Sequence, residues 1–186
     1  MVLDSCSECG FEYDLRQSTL AGASIVEGSL RIGALLRDSG ADVKLRRLPG
    51  QWSPLEYGCH VRDVLLVQRE RILLARRERC PSLTPMGRDE RAEHDGYSEQ
   101  VPTVVARQLE DSARLLANVL ARLGDGDWER TLIYNYPEPT ERSLHWVAMH
   151  TLHEVRHHRL DMVRQLQVRN DPDATGAPPA PRRRPT

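Results

Sequence analysis

Leu152-His153-Glu154-Val155-Arg156-His157-His158-Arg159-Leu160-Asp161 is the stretch on which the reading of this chain turns. Five of the chain's seven histidines fall between Leu144 and Leu160: His145, His150, His153, His157 and His158. The apolar residues interleaved with them recur at helical spacing, so the segment reads as a long helix from near Thr140 or Ser143 to about Val168. Two pairs on it have chelating separation, His153 with His157 and Glu154 with His158. Groups four apart lie one turn above each other on a helix and can grip one ion.

Phase separates the two pairs. At about 100° per residue, Leu144, Val147, Ala148, Thr151, Val155 and Met162 share one apolar arc. His158 lies at the edge of that arc, Glu154 and Asp161 flank it, and His153 falls nearly opposite. A site inside a bundle is built from inward side chains, which favours Glu154 and His158. His153 and His157 stay open as the alternative pair, and an exposed, merely histidine-rich face accounts for the spacing equally well.

Three further helices precede this one. The sharpest start is Trp52-Ser53-Pro54-Leu55-Glu56, where Ser53 caps, Pro54 suits the first helical position and Glu56 completes a capping box. Trp52 stands where a hydrophobic staple begins. That helix should run to about Arg79, before Cys80-Pro81. It carries His60 one turn after Glu56, a third candidate ligand from the first half of the chain. Before it, a helix is expected from about Ser18 to Ser39, ending at Gly40, with Leu20, Ala23, Ile25, Val26, Leu30, Ala34 and Leu35 as its apolar set. After it, a polar loop over 80–101 leads to a helix from Pro102 to about Leu123, with Val105, Leu109, Leu115, Leu116 and Val119 as core. Trp128 to Tyr136 reads as a short strand or extended loop, broken by Pro137 and Pro139.

The chain divides into an N-terminal extension (1–17), a helical unit (18–168) and a Pro/Arg-rich tail (169–186) with no apolar periodicity, expected to be disordered. Its 186 residues suffice for one packed core. Net charge is -1, from 26 basic against 27 acidic residues, which argues against a nucleic-acid partner. Lys44 is the one lysine; the other basic residues are arginines, as in a GC-rich coding sequence. Aromatics at 5% are too few for a base-stacking platform. No uninterrupted apolar run reaches the roughly 18 residues of a membrane span, and no signal peptide is visible at the N-terminus. Cys6, Cys9, Cys59 and Cys80 do not form a disulfide framework at this length, so a cytoplasmic setting is expected. Cys6-Ser7-Glu8-Cys9-Gly10 is a CxxC knuckle: half of a metal site awaiting a histidine or another subunit, a redox pair, or two free thiols. Cys59 reads as a small buried residue.

Two motifs together resemble the DinB-like superfamily, which includes mycothiol-dependent maleylpyruvate isomerase-like proteins and related bacterial thiol transferases. The first is Trp52-Ser53-Pro54-Leu55-Glu56-Tyr57-Gly58-Cys59-His60-Val61-Arg62-Asp63. The second is the histidine-rich segment, where His158 and Asp161 fall in register and the upstream ligand falls on Glu154; the isomerase-like branch is similar in carrying glutamate there. The resemblance covers roughly residues 18–167. It implies an all-α four-helix bundle of the DinB/YfiT-like type with long loops. It also implies a divalent ion, zinc or nickel, held by His60, Glu154 and His158. The implied activity is a thiol S-transferase or isomerase-like reaction on a small-molecule substrate, with a low-molecular-weight thiol such as mycothiol or bacillithiol as cosubstrate. A metal-dependent hydrolase and a non-enzymatic stress-response module are the competing readings; a homodimer is an open option. Asp161 is a candidate for orienting a ligand. Arg62 and Arg156 are candidates for a substrate carboxylate, with surface solubility as their plainer reading.

Overall fold

A computed structural model describes residues 4–135 and 138–168. The tail expected to be disordered lies outside them, as do Tyr136 and Pro137. The long helices are α1 (Ala21–Asp38), α2 (Pro54–Arg77), α4 (Pro102–Leu120) and α6 (Leu144–Gln167). Shorter elements fill the connections: α3 (Arg88–His94), α5 (Asp125–Trp128) and the strands β1 (Thr131–Asn135) and β2 (Pro139–Ser143). The fold is a four-helix bundle.

Its connectivity puts α1 and α2 across a diagonal. Each packs on both α4 and α6, and they barely touch one another. The chain therefore crosses the bundle end between them, through residues 39–53. Buried Gln165 on α6 ties this crossing down, its Oε1 accepting from the amides of Arg47 (2.8 Å) and Leu48 (3.2 Å). Through this arrangement His60 on α2 faces α6.

α2 begins as its sequence dictates. Ser53 Oγ accepts from the Glu56 amide, and Glu56 Oε2 accepts from the Ser53 amide at 2.8 Å. The Trp52 and Tyr57 rings meet at 5.8 Å, closing the staple. Arg46 from the crossing also pairs with Glu56. Burial raises the Glu56 pKa, but the Arg46 and Ser53 hydrogen bonds outweigh it and hold the carboxyl below its ordinary range.

The core of α1 differs from its expected set. Ala21, Gly22, Ile25, Ser29, Ile32, Gly33 and Leu36 are buried, whereas Leu20, Ala23, Leu30 and Ala34 face solvent. Small residues on the inward stripe let the helices approach closely: a Cβ on Gly28 would lie 2.6 Å from Val155 Cγ1 of α6. With leucines on both faces, α1 is ambiguous to a phase count. The stretch Leu15–Asp38 is also long and apolar enough, by length and composition, to cross a membrane. In the bundle, Ile25, Ile32 and Leu36 are buried. In α4, Val105, Leu109 and Leu116 are buried as expected, and Leu115 is exposed.

The stretch 80–101 is more structured than a polar loop. It forms α3 and a 3-10 turn, Tyr97–Glu99, whose Tyr97 is completely buried. Asp63 accepts from Tyr97 Oη (2.6 Å) and from Arg62 Nε (2.8 Å), while Arg62 Nη1 donates to Gln100 and Gln108. Arg62 is thus a buried structural cation, neither surface-exposed nor free for a substrate. Arg156 lies over the Phe11 ring at 5.5 Å.

β1 and β2 pair antiparallel, Asn135 with Pro139 and Thr131 with Ser143. Pro139 therefore opens a strand, where prolines are tolerated, instead of ending all structure. Ser143 caps α6 by accepting from the Trp146 amide. The N-terminal extension is bound to the bundle. Ser5 bridges Glu12, Tyr13 Oη lies 3.1 Å from His150 Nδ1, and Ser18 Oγ lies 2.6 Å from His145 Nδ1.

Candidate metal centre

His60, Glu154 and His158 come together, each offering a donor atom within 4.8 Å of the others. Glu154 Oε2 is the hub, 3.7 Å from His60 Nε2 and 3.4 Å from His158 Nε2. A tetrahedral ion with bonds of about 2.0–2.2 Å spaces its donors roughly 3.3–3.6 Å apart. The two distances from Glu154 lie near that spacing, and all three residues border an open cleft.

His60 and Glu154 are held in the form a cation requires, a neutral imidazole and a carboxylate. Burial lowers the pKa of His60 and keeps its ring neutral. Its Nδ1 is buried with no hydrogen-bond partner among the described residues. His158 stacks on Tyr57 at 5.2 Å, and its Nδ1 lies 3.1 Å from Asp161 Oδ2. An Nδ1–H donated to that carboxylate leaves the Nε2 lone pair facing Glu154, the outer-partner arrangement typical of metal-binding histidines. Asp161 also accepts from Arg164 at 3.2 Å, so its orienting and ion-pairing readings coexist.

The electrostatics favour a cation here. Burial pulls the His158 pKa down, but Asp161 and Glu154 outweigh it and raise it to about 9. Burial likewise raises Glu154, yet His153, His158 and His60 hold it far below the carboxylate range. Without an ion, a proton on His158 supplies the positive charge that the two carboxylates draw in.

The cluster opens into a cleft of about 620 Å³, lined also by Gln68, Arg71, Arg88, Tyr134 and His150. Tyr134 comes from β1, its Oη accepting from Gln68 Nε2 at 2.9 Å. His150 stacks on Trp146 at 4.6 Å, and burial drops its pKa to about 4, so it is neutral at physiological pH. The sequence reading missed Gln68, Arg71, Arg88 and Tyr134 as wall residues; the signal for Tyr134 lay in β1, whose buried positions alternate.

The alternative pair sits beside this cluster, and both of its rings also border the cleft. His153 and His157 face the N-terminal knuckle, grouped with Cys6 and Cys9. His153 is only 9% exposed, although it lies opposite the apolar arc, because residues 4–20 cover that side of α6. Burial raises the Cys6 thiol, but amides of Cys9 and Glu8 and the His153 ring outweigh it, bringing its pKa to about 6. Cys59 is completely buried, and burial raises its thiol to about 12.

Fold and site together define a helical bundle with a candidate cation centre between its second and last long helices. Residues 33–162 match the DinB superfamily, and the chain belongs to it. Among solved structures it is similar to YfiT from Bacillus subtilis, described as a probable metal-dependent hydrolase with an unusual four-helix bundle topology. The TM-score is 0.63 at 14% identity, over 78% of this chain and 87% of that one. At that identity the likeness bears on fold alone. No functionally curated protein matches the chain.

Proposed function

We propose that the protein is a divalent-metal-dependent enzyme, with the ion held by His60, Glu154 and His158, that activates a nucleophile in the 620 Å³ cleft. The observation carrying this reading is the three-donor hub: a part-buried carboxylate oxygen 3.4 and 3.7 Å from two imidazole nitrogens, bordering an open cleft. Zinc or nickel suits two imidazoles and a carboxylate.

Such an ion, when bound, holds a thiol as thiolate or brings a bound water's pKa to about 7. The chain's own residues do the rest. Asp161 fixes the tautomer and orientation of His158. Arg71 and Arg88, on the cleft wall, attract a carboxylate on substrate or cosubstrate. Neutral His150 and the Tyr134 hydroxyl offer hydrogen bonds without adding charge.

For the nucleophile we take a low-molecular-weight thiol such as mycothiol, giving an S-transferase or isomerase-like reaction. The support is the glutamate at position 154, which resembles the isomerase-like branch. Hydrolysis is the second reading, favoured by the description of YfiT. Zinc- or nickel-loaded protein is offered mycothiol with an electrophilic acceptor and, separately, ester and amide probes. Conjugation above the no-enzyme rate, absent from His60→Ala, supports thiol transfer. Turnover of the ester or amide probes alone replaces it with hydrolysis. No metal bound by wild-type protein defeats both and leaves a binding module.

A further inference from the structure

The geometry points to a second metal site, a closed Cys2His2 centre in which Cys6 and Cys9 of the N-terminal knuckle and His153 and His157 of α6 hold a structural zinc ion. The reading is independent of the proposed activity. All four side chains bring a ligating atom within 4.8 Å of the others. Cys6 Sγ stands 3.7 Å from His157 Nδ1. A tetrahedral zinc with Zn–S of about 2.3 Å and Zn–N of about 2.0 Å separates sulfur from nitrogen by roughly 3.5 Å.

The knuckle has the backbone to present two thiols. The Cys6 amide donates to Phe11 O at 2.9 Å, and the Gly10 amide donates to Cys6 O at 2.8 Å. Gly10 sits at φ +70°, a left-handed turn that glycine adopts freely. On the helix side, both ring nitrogens of His153 are buried with no hydrogen-bond partner among the described residues, although the side chain is nine-tenths buried. A buried imidazole left so is costly unless a ligand binds it. Its Nδ1 lies 3.4 Å from Glu154 Oε1, which leaves Nε2 for the ion. His157 Nε2 lies 3.5 Å from Asp161 Oδ2, the outer carboxylate a ligating histidine commonly has.

Four protein donors with two thiolates make a closed structural site, unlike the open three-donor centre beside it. Binding takes both sulfurs as thiolates, and any proton still held goes to solvent. The ion fastens residues 4–20 across α6, and Glu8, inside the knuckle, forms part of the cleft wall.

The test is metal content and cobalt spectroscopy on untagged full-length protein. Wild type should carry two zinc ions per chain, and Cys6→Ser/Cys9→Ser and His60→Ala one each. Cobalt-loaded wild type and His60→Ala should show a thiolate-to-cobalt charge-transfer band that the cysteine variant lacks. Should that variant fail to fold, His157→Ala keeps both thiols and should bind zinc at least tenfold more weakly, with the cobalt band shifted. Zinc should also shield Cys6 and Cys9 of wild type from alkylation. Equal alkylation with and without zinc, a Cys6–Cys9 disulfide in place of metal, or an unchanged His157→Ala overturns the site. A single ion lost in His60→Ala but kept in the cysteine variant overturns it too and leaves the catalytic centre standing; the opposite pattern defeats the catalytic centre instead.

Discussion

The two faces of α6 make different use of the same residue type. On one, His158 and Glu154 look toward α2 and gather around His60 with a side open to the cleft. On the other, one residue earlier in each pair, His153 and His157 look toward a loop that closes over them. An imidazole pair at i,i+4 says only that two rings stack along a helix. Whether the pair joins an open or a closed centre depends on what lies opposite, here a carboxylate and a single histidine or two thiols.

The largest effect that separates the faces comes from His60→Ala. The proposed open centre would lose one of its three ligands, and the proposed activity should fall by more than the roughly 100-fold that loss of an outer partner costs. Thermal stability should change little by comparison, as read by calorimetry beside steady-state assays. Collapse of the whole fold in this variant would show that the two faces are not separable.

Asp161→Asn comes next and couples the faces. Asp161 Oδ2 stands near both His158 Nδ1 and His157 Nε2. The variant should bind metal about 10- to 100-fold more weakly, measured by competition with a chelator. A drop confined to one of two bound ions would mark Asp161 as serving that face alone.

Gly28→Ala probes the packing that presents α6. The new methyl would meet Val155 Cγ1 at 2.6 Å, and Val155 is completely buried. Overpacking should cost roughly 1–3 kcal/mol in denaturant unfolding, with metal stoichiometry unchanged.

Glu56→Gln should have the smallest effect, about 1 kcal/mol, through loss of the charged cap of α2 and its Arg46 partner. The pH dependence has a definite sign. Glu56 titrates lower in the folded chain than in the unfolded one. Its contribution is therefore complete above the ordinary carboxyl pKa of about 4.3 and is lost as pH falls through the depressed folded value. The variant should narrow its stability gap to wild type in acid, measured by unfolding at pH 7 and below pH 4.

Much of this is legible in the sequence alone. Ser53, Pro54 and Glu56 mark the start of α2 through local hydrogen bonds and a fixed φ, which need no distant partner. The phase of α6 selects Glu154 and His158 because Val147, Thr151 and Val155 define one inward arc. In α1 the apolar set does not mark the buried face, because apolar residues lie on both sides and the buried stripe includes Gly22, Ser29 and Gly33. A single-core phase count also puts His153 outward, because it has no place for a second covering layer.

By itself, the sequence determined the long helices, the cap that starts α2 and the register that sets Glu154 beside His158, since all of these depend on contacts within a few residues. Only the tertiary structure decided that α1 and α2 sit diagonally so that His60 reaches α6, that the β1–β2 pair walls a cleft, and that Cys6 and Cys9 meet His153 and His157 across about 150 residues of chain. Those pairings come from packing and chain crossing, which bring together residues with no periodic relation along the chain.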